Sequence, residues 1–287
     1  MRITKMAFII FSLVILTIVG LTSIPKATSP IVQSEVVDLP TLASPTTEPL
    51  EFASNATLVT KSEENLKIPV LLYHEFCIDN PKNDLYTKTS VLEENISTLQ
   101  ENGYSFITFA DLYAFYYENA PLPEKSVILT CDDGYLSNFN LAYPIFQKLN
   151  VKVAIFVVDS LVGKQNYFTW DEAKQMKDSG LVDIYSHGKN HIDYTKVTAE
   201  TLKNSINFAQ TNLEQHLGPS SIKVFAYPAG KYNSLTVETL KDLGFSIQVI
   251  TDYGRPFDTT AADLTGINRI RCTNNTTGAK IIQDSLK

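Results

Sequence analysis

From Lys67 onward, short apolar runs alternate with longer stretches of mixed polarity. The runs are IPVLLYH (68–74), SFITF (105–109), SVILTC (126–131), VKVAIFVV (151–158), LVDIYSH (181–187), SIKVFAYP (221–228), FSIQVI (245–250) and INRIRC (267–272). Each has the length and the β-branched and aromatic content of a buried strand. Between them lie SVLEENISTLQENG (90–103), ADLYAFYYEN (110–119), YLSNFNLAYPIFQKLN (135–150), TWDEAKQMKDSG (169–180), TAETLKNSINFAQTNLEQHLG (198–218) and SLTVETLKDLG (234–244). These read as helices; several begin at Ser or Thr and end at Gly, and Pro144 falls inside one of them. Continuous apolar strands alternating with helices predict a parallel sheet covered by helices. Seven to eight such strands favour a distorted (β/α) barrel over an open sheet.

The N-terminal part has a different texture. Arg2 and Lys5 precede an uncharged, apolar stretch from Met6 to Pro25, the pattern of a secretion signal or a single membrane anchor. Small residues suited to cleavage are poorly represented after it, which favours an uncleaved anchor. The basic start orients the remainder outside the cytoplasm. Residues 27–66 are rich in Ser, Thr, Pro and Glu without periodicity and read as a disordered stalk. The expected organisation is therefore a signal or anchor at 1–26, a stalk at 27–66 and one folded domain at 67–287. The expected location is the cell membrane, by a single pass with the domain outside, or the medium.

Charge narrows the partners. Twenty-four Lys and Arg against 31 Asp and Glu leave a net charge of −7, so nucleic acid is not an expected partner. Three cysteines, Cys77, Cys131 and Cys272, do not make a disulfide framework. Cys131, inside an apolar run, reads as a packing residue; Cys77 and Cys272 are either one bridge or two free thiols.

In a barrel of this kind, chemistry gathers at the carboxyl ends of the strands. His74 ends the first run, Asp132 and Asp133 follow SVILTC, His187 ends LVDIYSH with His191 four residues on, and Tyr-Pro-Ala-Gly (227–230) ends SIKVFAYP. His216, late in the longest helix, reads as a surface residue. Two adjacent carboxylates at the end of an apolar strand are costly unless a cation compensates them. Two imidazoles and one carboxylate form a three-ligand site for zinc or a similar divalent ion. The second aspartate is then placed as a general base and His74 as a general acid whose pKa a neighbouring carboxylate raises. Singly, each element has a plainer reading: Asp-Asp-Gly as a turn, Tyr-Pro-Ala-Gly as a turn, a strand-end histidine as a structural hydrogen-bonding group. Their joint placement is what points to a catalytic site.

The order TCDDG, SHGKNH, FAYPAG resembles the polysaccharide deacetylases of carbohydrate esterase family four, the NodB homology domain. The opening PVLLYHEF resembles the subgroup that deacetylates poly-N-acetylglucosamine. The resemblance implies a metal-dependent hydrolase removing N-acetyl groups from an N-acetylglucosamine polymer at the cell surface. It implies Asp132 as base, Asp133, His187 and His191 as ligands of a divalent ion (zinc, with cobalt, nickel or iron as alternatives), and His74 as acid. The family form Thr-Phe-Asp-Asp-Gly has Cys131 in place of Phe here, and His-(Ser/Thr)-x-x-His has Gly188 in its second place. The third family motif keeps Pro228 and Gly230, lacks both arginines, and has Ala229 where Tyr supplies an oxyanion-stabilising backbone N–H. Arg269 or Arg271 is a candidate for the missing arginine that steadies the base. Tyr135, Tyr227, Pro228 and Gly230, with Trp170, are candidates for contact with sugar. A catalytically silent carbohydrate-binding protein on the same barrel, or a deacetylase of a small N-acetyl compound, are the alternative readings.

Overall fold

A computed structural model describes residues 56–251 and 255–286. The predicted apolar segment at 6–25 and most of the stalk lie outside the described residues. Among the described residues, no helix is long and apolar enough to cross a membrane.

Eight parallel strands make the main path of a nine-stranded central sheet: β1 (Val70–Tyr73), β2 (Ser126–Asp133), β3 (Val153–Val157), β4 (Val182–Ser186), β5 (Lys223–Ala226), β6 (Phe245–Val249), β7 (Thr265–Ile267) and β8 (Ile270–Arg271); the ninth, the short Ser105–Phe106 from SFITF, pairs parallel with the start of β2. Their lateral order is 7-6-5-4-3-2-1-8. The two edge strands, β7 and β8, are separated in sequence by Asn268 and Arg269 alone. The sheet must therefore curl until one short stretch of chain serves both its edges. This makes a distorted barrel whose last wall is a strand broken in the middle. INRIRC, expected as one strand, is divided because its first part pairs with β6 and its second with β1.

Alternation along the strands sorts the buried side chains into clusters on the two faces of the sheet, with a third around Phe225 and Phe245. Leu71, Tyr73, Leu129, Cys131, Ile155 and Ile184 face the helical layer. Val70, Ile128, Phe156, Tyr185, Val224 and Ile247 belong to a second cluster. Helix α1 (Thr89–Glu101) packs in the outer layer. Helix α2 (Phe109–Glu118) instead gives Phe109, Leu112 and Phe115 to the second cluster. It starts earlier than the apolar run SFITF suggests because Thr108 and Asp111 form a reciprocal capping box. Helix α3 (Tyr143–Leu149) follows a π-helical turn at Asn138–Ala142. Pro144 sits in its first turn, where a missing N–H costs nothing. Helices α4 (Trp170–Asp178), α5 (Ala199–Leu217), α6 (Ser234–Asp242) and α7 (Gly278–Ser285) complete the layer.

Residues 56–66, expected in the stalk, belong to the folded unit. Leu58–Val59 pairs antiparallel with Leu122–Pro123. Leu66 is buried and its N–H donates to Thr259 Oγ1 at 2.7 Å. All three cysteines are free thiols, Cys131 and Cys272 buried and Cys77 half-buried. A chain beginning at residue 68 should therefore be less stable than one beginning at 56 by about 2–3 kcal/mol, the scale of one buried leucine. Urea unfolding of the two proteins measures this; equal stability would place the domain boundary after Leu66.

Candidate active site

The site begins with an irregularity at the end of β2. In a regular strand, neighbouring side chains point to opposite faces, so Asp132 and Asp133 should not share a cavity. Asp133 has φ +74°, in the left-handed region. That turn breaks the alternation, and both carboxylates line one cavity of about 430 Å³. Such a conformation costs a non-glycine residue on the order of 1–3 kcal/mol. Gly134 follows with φ +80°, and a Cβ there would lie 3.2 Å from Val157 Cγ1. The Asp-Asp-Gly sequence is thus the form a strand takes when it must present two acids side by side.

Asp132 is almost fully buried and is clamped by Arg269. The guanidinium Nη1 and Nη2 donate to its two oxygens at 2.7 Å each. Arg269 is itself completely buried. Its remaining donors reach the Ile250 carbonyl at 2.9 Å, Thr130 Oγ1 at 3.2 Å and Thr251 Oγ1 at 3.5 Å. Five N–H groups therefore have five partners. Phe156 lies beneath the guanidinium, with its ring centroid 5.6 Å from Cζ. Burial alone would raise the Asp132 pKa. Arg269, with His187 and His74, overcomes burial and holds it at about 2. Of the two arginines the sequence offered, Arg269 holds the carboxylate and Arg271 lines the cavity.

The imidazoles come from the loop that follows β4. His187 is buried; its Nδ1–H donates to the Ala226 carbonyl at 2.7 Å. That bond leaves the Nε2 lone pair for the cavity. Burial lowers its pKa below the usual histidine value, and His191 and Arg269 add to that lowering, against the pull of Asp132 and Asp133. The neutral ring is the ligating form. His187 Nε2 lies 3.6 Å from Asp133 Oδ1, and His191 Nε2 lies 3.7 Å from the same oxygen. One oxygen of Asp133 and one nitrogen of each histidine fall within 4.8 Å of one another. Two imidazole nitrogens and one carboxylate oxygen, converging at this spacing, fit a divalent ion.

His74 lines the same cavity. Asn138 Nδ2 donates to its backbone carbonyl at 2.7 Å, so the segment after β2 steadies the end of β1. The expected rise in its pKa is not found. Burial lowers it, and Arg269 and His187 reinforce that against Asp132 and Asp133. Ala229 also lines the cavity, with φ +52° in a turn whose Pro228 is buried. Gly230 has a packing reason: a Cβ there would lie 2.8 Å from the Thr251 backbone N.

The aromatic candidates divide. Tyr135 lines the cavity and stacks on Tyr167, with centroids 5.1 Å apart and planes 19° from parallel. Tyr167 was not singled out from sequence; it reaches the mouth because its loop forms an isolated bridge with Tyr135. Tyr227 is buried against Phe225, and its hydroxyl donates to Gln248, so it is a core residue and not part of the cavity wall. Trp170 stacks on His216 at 4.7 Å and does not line the cavity. His216 is exposed on α5, as a surface residue would be.

A parallel barrel that gathers an Asp-His-His group beside a separate, guanidinium-clamped carboxylate at its strand ends has the form of a hydrolase. Residues 119–247 match the model of the polysaccharide deacetylase family. A Bacillus subtilis (strain 168) protein, YxkH, named provisionally as a polysaccharide deacetylase, is 27% identical over 194 residues, 68% of each chain. The poly-beta-1,6-N-acetyl-D-glucosamine N-deacetylase of Escherichia coli K12 is 26% identical over 231 residues. That match takes in 66% of this chain and 34% of the E. coli protein, about a third of its length. Among solved structures, the Streptococcus pyogenes deacetylase PplD in complex with acetate superposes with a TM-score of 0.72 at 25% identity, over 77% of this chain and 99% of that one.

The Asp132–Arg269 pair makes a testable contribution to stability. The folded pKa of Asp132 is depressed to about 2 from an ordinary 3.8, so its contribution is present above pH 3.8 and is lost as pH falls toward 2. Arg269→Met leaves the carboxylate buried without its counterion and should cost about 3–5 kcal/mol at neutral pH. Burial then raises the Asp132 pKa, so the variant should recover relative to wild type on acidification. Urea unfolding of the metal-free proteins between pH 7 and pH 3 measures both; parallel curves would show that Arg269 does not hold the charge.

Proposed function

We propose that this chain removes acetyl groups from N-acetylglucosamine residues of a polysaccharide outside the cytoplasm, with a divalent ion held by Asp133, His187 and His191. The observation that carries the reading is the division of labour between adjacent aspartates: Asp133 faces two imidazole nitrogens, while Asp132 is held by Arg269. The E. coli relative, named for poly-β-1,6-N-acetyl-D-glucosamine, and the acetate seen with the S. pyogenes deacetylase support the substrate class. The net charge of −7 suits an uncharged or cationic glycan better than a polyanion.

Bound at this site, zinc, or cobalt, nickel or iron in its place, would supply Lewis acidity toward water and the acetamide carbonyl. Asp132, kept ionised and fixed in orientation by Arg269, takes the proton of the attacking water. The Ala229 N–H serves the oxygen that gains charge as the carbonyl becomes tetrahedral. His74 protonates the departing amine; its lowered pKa makes it a strong donor once protonated. The stacked Tyr135 and Tyr167 offer an aromatic wall for a sugar face.

His187→Ala or His191→Ala should abolish metal binding and acetate release together. Asp132→Asn should retain the metal and lose turnover, because it removes a base and not a ligand. His74→Ala should retain both metal and fold and lower turnover by about 100-fold or more. Metal content and acetate released from poly-N-acetylglucosamine, chitin oligomers, peptidoglycan and acetylated xylan provide the readout. Equal metal loss in the His187, His191 and Asp132 variants would reverse the roles of the two aspartates; near-normal turnover of His74→Ala would remove His74 from the mechanism.

A further inference from the structure

The stretch carrying the two imidazoles, His187-Gly188-Lys189-Asn190-His191, departs from the family form at one place: Gly188 stands where Ser or Thr is usual. We propose that the Tyr194 hydroxyl occupies the space of that missing side chain and positions His191 by bracing the backbone between the two imidazoles. The inference rests on the metal-site reading above and concerns a positioning residue, not a ligand.

Space is the first observation. A Cβ built on Gly188 would lie 2.4 Å from Tyr194 Oη, 2.9 Å from Cε2 and 3.0 Å from Cζ. The phenol thus fills the volume that a side chain at 188 would need. Gly188 also has φ +85°, a conformation other residues reach only with strain. The glycine and the tyrosine are therefore two halves of one arrangement.

Hydrogen bonding is the second. The Lys189 N–H donates to Tyr194 Oη at 3.1 Å. The same oxygen shares a 2.9 Å hydrogen bond with Ser205 Oγ on α5 and lies 3.5 Å from the Asn190 carbonyl. The Lys189 N–H and the Asn190 carbonyl both meet this one hydroxyl, which also fills the space beside Gly188. Tyr194 is itself fixed: it is 1% exposed, and its ring packs edge-on against Phe225 of β5. The hydroxyl thus ties the loop to both α5 and β5. The opposite side of the loop is held by Asp159 and Ser160, whose N–H groups donate to the carbonyls of Gly188 and Lys189 at 3.0 and 2.9 Å.

The two imidazoles do not depend equally on this brace. His187 is buried and has its own anchor in the Ala226 carbonyl. The His191 side chain is 44% exposed and meets Asp133 at 3.7 Å. Its reach toward a shared ion depends on the backbone that precedes it. Loss of the hydroxyl should therefore act mainly through His191. Outer partners of this kind typically change metal affinity about 10- to 100-fold.

The test is a Co²⁺ titration of the full chain, followed by calorimetry and by the visible absorption of the bound ion. Tyr194→Phe should weaken Co²⁺ binding about 10- to 100-fold and alter the absorption, by changing the position of one nitrogen donor. Unchanged affinity with a lowered melting temperature of the metal-free protein would make Tyr194 a packing residue and overturn the proposal. A second arm uses coupling. Gly188→Ala should weaken binding more in the presence of Tyr194 than in a Tyr194→Leu background, since the backbone strain is common to both and the collision is not. Independent effects would overturn the shared-space argument. Failure of the unaltered protein to bind Co²⁺ would overturn the metal reading itself, a result distinct from either of these.

Discussion

A guanidinium buried in a barrel interior must find partners for five N–H groups and one positive charge without water. Arg269 does so with two carboxylate oxygens, one backbone carbonyl and two hydroxyls contributed by β2 and the end of β6. The rest of the mouth depends on this solution. Without Arg269, Asp132 would be a buried carboxylate with burial raising its pKa. With it, Asp132 is an ionised group held in one orientation, and Asp133 is left to face the imidazoles. The pair is a poor device for stability alone, since well-packed apolar residues often replace buried ion pairs without loss. Its worth lies in fixing where the negative charge sits.

The barrel supplies this arrangement through departures from regular geometry at the strand ends. Asp133 and Ala229 adopt left-handed backbone conformations, and the strand carrying Arg269 breaks in two. Each departure turns a side chain or backbone group toward the cavity that a regular strand would send elsewhere. Glycines follow or accompany them where two backbones come close, as Gly230 does against Thr251. Strain of this sort persists only where the surroundings over-determine it, and here the surroundings are the packed clusters on both faces of the sheet.

Much of this is legible in the chain itself. Buried parallel strands are continuous apolar runs, so β1 to β6 stand out, and the polar residues that terminate them stand out by contrast. The spacing of His187 and His191 and the doubled aspartate are visible for the same reason. What is hidden depends on three-dimensional neighbours. Nothing local separates Arg269 from Arg271, two residues apart on the same run; the difference is which one reaches across to β2. Tyr227 has the look of a sugar contact because it adjoins Pro228, but its ring falls among Phe225 and Tyr194 in the core. The sign of the His74 shift reverses because burial, reinforced by Arg269 and His187, outweighs the carboxylates, a balance no motif encodes. Leu66 escapes notice because a single buried residue after a polar stretch carries no periodicity.

The broken strand that joins the two edges of the sheet also sets an order of assembly. Asp132 and its counterion are 137 residues apart, and Arg269 belongs to nearly the last structural segment. A folding chain can lay down β1 to β6 in sequence, each against its predecessor. It then holds an open sheet with an uncompensated acid at its centre. Only when residues 265–271 arrive are the edges capped and the charge matched in the same event. A polypeptide clipped before residue 265 would therefore lack both the wall and the counterion, so that closing the sheet and arming the acid are one step.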